Sequence, residues 1–248
     1  PRAVLFDVYG TLVISGSGEV GTARTDARGT PFSQAYRIAS GVSPHSEAEG
    51  LMRRVFSSSI EGRHARARER GLPYPEVDII SVWSDVLEAL GDAGLEPAPV
   101  DIEQLAIIYE TLVNPVWPMP EARPTIDRLR NRHVHMGIVS NAQFYTPLLF
   151  PALFGASLPH LGFDSRLLSF SSELGRAKPD PLLFDLPLAS LRERGIDSAE
   201  VLYVGNDMRN DVWCARRAGC MTALYAGDER SCRFREDDPE VADTMPNS

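Results

Sequence analysis

The sequence predicts an α/β fold, with a Rossmann-like three-layer α/β/α core around a parallel sheet and an inserted all-helical domain. Beyond residue 123, helical stretches alternate with short β-rich runs, a pattern that indicates crossover connections and a parallel sheet. One more strand comes first, because residues 2–6 form an apolar run that ends at Asp7. The 248 residues are 43% hydrophobic, which suffices for one substantial core and a smaller second one.

A helical block follows the first strand. Residues 15–31 lack apolar periodicity and predict a loop, whereas residues 45–71 predict a long helix. Apolar residues recur every three or four positions in two more segments: Ile79, Trp83, Val86, Leu87 and Leu90, then Ile102, Leu105, Ile108 and Leu112. Residues 114–120 contain three prolines and end the block. We therefore expect residues 1–14 and 118–248 to form the core and residues 15–117 to form a cap domain.

The rest of the predicted core consists of short strands, a helix and a tail. The strands are expected at residues 134–139, 166–170, 201–204 and 221–225, with a helix at 209–218. From residue 228 onward the chain is acidic and contains proline, so we expect it to be loop or frayed. Ligands of such sheets bind beyond the carboxyl ends of the strands, which is where candidate site residues should lie.

Composition argues against several classes of partner. A formal net charge of -9 repels nucleic acid, and no basic cluster interleaved with aromatics offsets it. No apolar run approaches the roughly 20 residues of a membrane span, and no signal pattern opens the sequence, so we expect a cytoplasmic protein. The three cysteines lack the spacing of a zinc site or a disulfide framework.

Four predicted strand ends carry complementary chemistry. The candidate residues, in chain order, are Asp7, Tyr9 and Thr11, then Ser140 and Asn141, then Lys178, and finally Asn206, Asp207, Asn210 and Asp211. A carboxylate can attack, hydroxyls can hold the oxygens of a transferred group, an ammonium can balance charge, and distal carboxylates can hold Mg²⁺. Lys178 is the one lysine among 25 basic residues, and its compact ammonium fits where the planar arginine fork does not.

Simpler roles are open for some of these side chains. Ser140 and Asn141 also suit helix N-caps, and Asp207 and Asp211 also suit the positive end of the following helix.

In this order, the segments FDVYGTL, VSNA, AKPDP and GNDMRND resemble the four motifs of the haloacid dehalogenase superfamily. The helical block resembles the cap of the subgroup in which the cap follows the first motif. The resemblance implies a Rossmann-like core, Asp7 as a nucleophile that forms an aspartyl-enzyme intermediate, and a cap that closes over a small anionic substrate.

The motifs disagree about the reaction. Phosphatases of the superfamily carry a second aspartate at the position of Tyr9, where tyrosine is typical of the metal-independent L-2-haloacid dehalogenases. Those dehalogenases also have a tyrosine at the position of Phe184, whereas GNDMRND keeps two carboxylates, which suit Mg²⁺. We favour a magnesium-dependent phosphatase over a dehalogenase. Its expected metal ligands are Asp7, the Tyr9 carbonyl, either Asn206 or Asp207, and Asp211.

The remaining assignments are weaker. In the cap, Arg37, Arg63 and His64 are candidate contacts for an anionic substrate. Residues 16–21 match the spacing G-x-G-x-x-G, but they do not connect a strand directly to a helix, so a hinge into the cap is favoured over a dinucleotide site. A catalytically idle binding protein is a third interpretation, prompted by Tyr9 and Asn206.

Overall fold

The chain divides into two compact units in a computed structural model that describes residues 1–17, 29–227 and 230–248. One unit comprises Pro1–Val20 and Val116–Ser248, and the other comprises Gly21–Pro115. Most of the expected hinge at residues 16–21 lies outside the described residues.

A parallel sheet forms the centre of the first unit. Among the described residues it has five strands in the order β5-β4-β1-β6-β7. The strands are β1 (Ala3–Phe6), β4 (His135–Ser140), β5 (Phe163–Phe170), β6 (Val201–Gly205) and β7 (Met221–Leu224). The five strands predicted from apolar runs are thereby confirmed, although β5 begins three residues before the expected position 166. The central strand β1 is flanked by β4 and β6, whose carboxyl ends adjoin its own.

Helices cover both faces of this sheet. One face packs against α5 (Ala122–Asn131), α6 (Leu149–Phe154) and α7 (Leu158–Leu161), and the other against α9 (Leu182–Arg192) and α10 (Cys214–Arg217). Alternate residues of β1 divide between the two cores, since Val4 and Phe6 face one and Ala3 and Leu5 face the other. This confirms the predicted three-layer core. The short helix α8 (Ser171–Leu174) follows β5.

A small antiparallel ribbon beside the sheet was not predicted. Strand β2 (Val13–Ser15) pairs with β3 (Val116–Pro118), with Val13 opposite Pro118. The prolines around residues 114–120 predicted only the end of the helical block. Three-residue strands are too short to show periodicity, and proline is tolerated at a sheet edge, so the pattern carried no signal for pairing.

The second unit is helical, as predicted. It contains α1 (Pro31–Ser40), α2 (Ala48–Glu69), α3 (Ile79–Asp92) and α4 (Ile102–Val113). Asp78 and Asp101 cap α3 and α4 through their side chains. Four aromatic rings, with centroids 4.5–5.8 Å apart, form its centre: Phe32, Phe56, Trp83 and Tyr109. None of the helices that the structure describes is long and apolar enough to cross a membrane.

The described part of residues 228–248 is loop, which was one of the two expected alternatives, but it is not frayed. Ser231 and Val241 are buried, and the backbone of Asn247 donates to the Thr222 carbonyl of β7. Residues 230–241, here called the C-terminal segment, lie against the loop that follows β6. The backbone amide of Arg233 donates to Asn206, and that of Met208 donates to Arg233, both at 2.8 Å. Sequence acidity predicted solvation, but these backbone pairs and buried side chains hold the segment in place.

Candidate active site

Three adjacent strand ends place the first site residues side by side. Asp7 directly follows β1, Ser140 ends β4, and Asn206 directly follows β6. Gly10 lets the chain turn after Asp7, because its φ of 81° is left-handed and an added Cβ would collide with the Asn206 side chain. The predicted edge of the sheet is therefore where this polar cluster forms.

Lys178 completes the cluster from the loop between α8 and α9. Its Nζ donates to Asp7 Oδ1 at 2.7 Å, to Asp211 Oδ1 at 2.5 Å and to the Tyr203 hydroxyl at 2.8 Å. An ammonium has three N–H donors, so each of them has one acceptor. All four side chains are buried. In this arrangement Lys178 holds the Asp7 carboxylate in a fixed orientation.

Asn141 positions the backbone of that lysine. Its Oδ1 accepts from the Lys178 amide at 2.6 Å, and its Nδ2 donates to the Lys178 carbonyl at 3.2 Å. The turn after β4 is thus hydrogen-bonded to the loop that carries the ammonium. Asn141 therefore positions this loop and does not cap a helix.

The protonation states follow from burial and neighbouring charge. Burial raises the pKa of Asp7 to about 6; the Lys178 ammonium opposes this rise and Asp211 adds to it. Burial alone would lower the pKa of Lys178, but Asp211 and Asp7 outweigh it, so the pKa rises and the ammonium is retained. Asp7 is therefore a carboxylate at neutral pH whose ionised form is poorly solvated, which suits a nucleophile.

Two hydroxyls near Asp7 lack a hydrogen-bond partner among the described residues. They belong to Thr11, four residues along the same turn, and to Ser140. The Ser140 hydroxyl nevertheless lies close enough to the Asp7 carboxyl for its hydrogen-bonding capacity to oppose the rise of the Asp7 pKa. A buried hydroxyl without a partner costs about 1–3 kcal/mol, so such groups are expected where a ligand supplies the partner.

The Tyr9 side chain hydrogen-bonds to a residue outside this cluster. Its buried hydroxyl hydrogen-bonds with the Thr146 hydroxyl at 2.9 Å, and its ring packs in the core on one face of the sheet. The hydroxyl of the first motif's tyrosine is therefore engaged with Thr146. The backbone of Tyr9 stays on the turn after Asp7.

Asp211 is fully engaged inside the protein. Its Oδ2 accepts from the backbone amides of Asn206 and Asp207, both at 2.9 Å, while its Oδ1 accepts from Lys178. The Tyr203 hydroxyl lies 3.0 Å from the same Oδ1, and its single hydrogen goes either there or to the Val139 carbonyl at 2.7 Å. Asp211 lies in a π-helical turn, Met208–Trp213, which departs from the α-helix expected at 209–218 before α10 resumes it.

Asp207 is also engaged, by a residue far along the chain. Its Oδ2 lies 2.6 Å from a terminal guanidinium nitrogen of Arg235, and its Oδ1 accepts from the amides of Arg209 and Asn210. The same carboxylate therefore caps the π-helical turn and pairs with the C-terminal segment. Arg235 has a left-handed φ of 56°, an uncommon conformation for arginine.

The expected magnesium ligands fit a cation only in part. Asp207 and Asp211 are occupied, whereas the second carboxylate oxygen of Asp7 and the side-chain oxygen of Asn206 accept no hydrogen bond from described backbone groups or cations. No group of three or more His, Cys, Asp and Glu in the described parts of the chain is arranged to hold a metal. Of the two alternatives, Asn206 has its oxygen available and Asp207 does not.

The ion pair between Asp207 and Arg235 leads to a stability prediction. We expect Arg235→Gln to lower the free energy of unfolding by about 1 kcal/mol, because the guanidinium is a third exposed and solvent screens the pair. Limited proteolysis should then cut the C-terminal segment faster. Glu236→Gln, an exposed neighbour, is the matched control and should change neither measurement. Equal proteolysis rates in both variants would show that the pair does not hold the segment.

The three candidates in the helical unit are arranged differently from one another. Arg63 is committed to its own unit, since it pairs with Asp85 at 2.8 Å and donates to Ser59. His64 is half-buried, and burial followed by the Arg68 charge lowers its pKa. Arg37 is exposed beside an open polar pocket that also includes Ser33 and His45. Of the three, Arg37 alone presents its charge on a described pocket.

Sequence reasoning missed Tyr203 and Arg235. Tyr203 stands in an apolar run, VLYVG, where tyrosine is an ordinary strand residue. Arg235 is one of 24 arginines and lies in a segment that composition marked as loop. The polar tip of a tyrosine in a central buried strand was the one available signal.

Comparison with known proteins places the chain in a family. The family model described as haloacid dehalogenase-like hydrolase matches residues 1–219. A phosphoserine phosphatase of Thermus thermophilus is 30% identical over 245 residues, which cover 97% of this chain and 86% of that protein.

Two solved structures show the same fold at a TM-score of 0.51 each. One is a phosphatase from Thermococcus onnurineus, 23% identical, with 90% of this chain and 86% of that chain covered. The other is an L-2-haloacid dehalogenase, 21% identical, with 99% and 92% covered. At these identities the likeness concerns the fold alone.

Proposed function

The chain belongs to the haloacid dehalogenase-like hydrolases, and from that premise we propose that it is a phosphatase that acts on a small phosphate ester. The observation that carries the proposal is the buried cluster in which Lys178 orients Asp7 beside the unpartnered hydroxyls of Ser140 and Thr11. The full-length similarity to a phosphoserine phosphatase supports the same reaction class.

In the proposed reaction, the Asp7 oxygen that does not bind Lys178 attacks phosphorus. The bond from phosphorus to the ester oxygen breaks, and the leaving alcohol takes its proton from solvent. Ser140 and Thr11 donate to the phosphoryl oxygens as negative charge builds on them. Water then attacks the phosphorus of the aspartyl phosphate, which releases inorganic phosphate and restores the Asp7 carboxylate.

Magnesium is part of the proposal with a reduced set of ligands. Mg²⁺, when bound, supplies charge neutralisation for the phosphoryl group. Asp7, the Tyr9 carbonyl and the Asn206 side-chain oxygen would hold it, since Asp207 and Asp211 are engaged elsewhere. These ligands bring one negative charge, so we expect weak affinity, which Asn206→Asp should strengthen.

Position 184 argues against dehalogenase chemistry. Phe184 stands where the dehalogenases carry a tyrosine, and it is fully buried with its ring centroid 4.9 Å from that of Tyr203. It has no hydroxyl and no exposed surface to offer a substrate.

The test of the proposal compares two reactions on one preparation. Phosphate release from a panel of phosphate esters is measured beside halide release from L-2-chloropropionate, each with Mg²⁺ and with EDTA. We expect magnesium-dependent phosphate release whose rate rises steeply as the pKa of the leaving alcohol falls, because Tyr9 stands where the superfamily's phosphatases carry the aspartate that protonates it. Metal-independent halide release would overturn the phosphatase proposal.

A second test needs no substrate. Mg²⁺ with beryllium fluoride should raise the melting temperature, and an unchanged value would favour an idle binding protein.

The pH dependence follows from the raised pKa of Asp7. Only the carboxylate attacks, so log kcat/KM should fall with a slope of one as pH drops below about 6. The same shift makes stability depend on pH. Because the pKa of Asp7 is raised from 3.8 in the folded protein, the free energy of unfolding should decrease as pH rises through about 6. A flat profile between pH 5 and 7 would place the nucleophile's pKa near its ordinary value, about 4.

A further inference from the structure

Tyr203 contacts the buried cluster of Asp7, Lys178 and Asp211. Neither the four motifs nor the proposed reaction assigns it a role. It is fully buried in β6, and its hydroxyl makes three polar contacts. The hydroxyl accepts from Lys178 at 2.8 Å, and it lies 2.7 Å from the Val139 carbonyl and 3.0 Å from Asp211 Oδ1. Its single hydrogen serves one of these two acceptors at a time, and the carbonyl is the nearer.

The lysine depends on this hydroxyl for its third hydrogen bond. Asp7 and Asp211 accept one N–H each, and Tyr203 accepts the remaining one. Without the hydroxyl, one N–H of a buried ammonium would have no acceptor, which is costly in a dry environment. The ammonium would then be free to rotate about its stem and to share its donors differently between the two carboxylates.

We propose that Tyr203 is a positioning residue for the nucleophile and acts through Lys178. With its third N–H held by the tyrosine, the ammonium keeps one N–H on Asp7 Oδ1 and leaves the other Asp7 oxygen for the reacting atom. Tyr203 in turn is fixed by the Val139 carbonyl of β4 and by packing against Phe184, so the neighbouring strand sets the position of the nucleophile. Only the expected effect on kcat rests on the proposed phosphatase function; the positioning of Lys178 by Tyr203 does not.

Tyr203→Phe tests the proposal, because it removes one oxygen and keeps the ring. We expect kcat to fall about tenfold or more with KM changed less than about twofold, since misplacement of a reacting group affects the chemical step more than binding. Tyr36→Phe is the matched control. It removes a buried hydroxyl that accepts from the Ala98 amide at 2.6 Å in the helical unit, and it should leave kcat unchanged.

The single lysine provides a readout that needs no substrate. Labelling with ¹⁵N at Nζ and ¹³C at Cε reports Lys178 alone, since the chain has one lysine. The ammonium resonance should shift and broaden in Tyr203→Phe and stay in place in Tyr36→Phe. An unchanged resonance, or a shifted resonance with unchanged kcat, would overturn the positioning role. If the unmodified chain hydrolyses no ester, the proposed function fails, whereas the resonance still decides whether Tyr203 holds the lysine.

Discussion

Asp7→Asn should abolish turnover, with kcat reduced by at least about 10³-fold, because the neutral amide cannot form the aspartyl phosphate. The melting temperature should not fall. Burial raises the pKa of Asp7, so the ionised carboxylate is less favourable in the protein than in water, and the amide removes that cost. Steady-state kinetics on a responsive ester and thermal unfolding of the same preparation check the two expectations together.

Asp164→Asn is the matched control for this variant. Asp164 is a partly buried aspartate at the amino end of β5, where it pairs with Arg194 at 2.5 Å, away from the catalytic cluster. Its replacement should cost some stability and leave kcat within about twofold, as for other ion pairs remote from a site. Full activity in Asp7→Asn would remove Asp7 from the role of nucleophile. A large fall in the melting temperature of Asp7→Asn would contradict the idea that the charge of Asp7 destabilises the folded protein.

The sequence located the site because strand ends are local features. An apolar run followed by a polar residue is visible in the chain, and Asp7 and Ser140 could be predicted to meet once the sheet was predicted to be parallel. Lys178 was assigned to the same edge, although a short helix, α8, separates it from β5. The apolar periodicities likewise predicted the helices of the second unit. Both inferences use residues that are neighbours in the sequence.

The donors around each carboxylate could not be predicted in the same way. Asp207 and Asp211 cannot be told apart in the sequence. In the structure, Asp207 pairs with Arg235, 28 residues further along the chain, and Asp211 pairs with Lys178. Pairings of this kind depend on where the C-terminal segment returns to the loop after β6, and no local pattern encodes that return. Only the structure shows that the Asp207 carboxylate is paired with Arg235 while the Asn206 side-chain oxygen is not engaged by described backbone groups or cations.

Lys178→Met should produce a large loss of stability in the core unit. Removal of the ammonium leaves Asp7 and Asp211 as two buried carboxylates that its Nζ had joined at 2.7 and 2.5 Å. Breaking a buried ion pair by removing one partner costs about 3–5 kcal/mol, and here two anions lose their partner. Urea unfolding near neutral pH measures the loss. Arg166→Met, which breaks an exposed pair with Glu193, is the control and should cost less than about 1 kcal/mol.

The pH dependence of Lys178→Met separates lost charge from lost packing. Without the ammonium, the pKa of Asp7 should rise beyond its present value of about 6, so the folded variant takes up protons more readily than the unfolded chain. Its stability deficit should therefore shrink as pH falls through that higher pKa toward 6, because Asp7 then becomes neutral in the folded variant while it is still ionised in the unmodified protein. Lys178→Met with Asp211→Asn should recover part of the deficit near neutral pH for the same reason. A deficit that stays constant with pH would mean that the methionine destabilises the protein through poor packing. Lys178 would then not stabilise the protein by balancing the charges of Asp7 and Asp211.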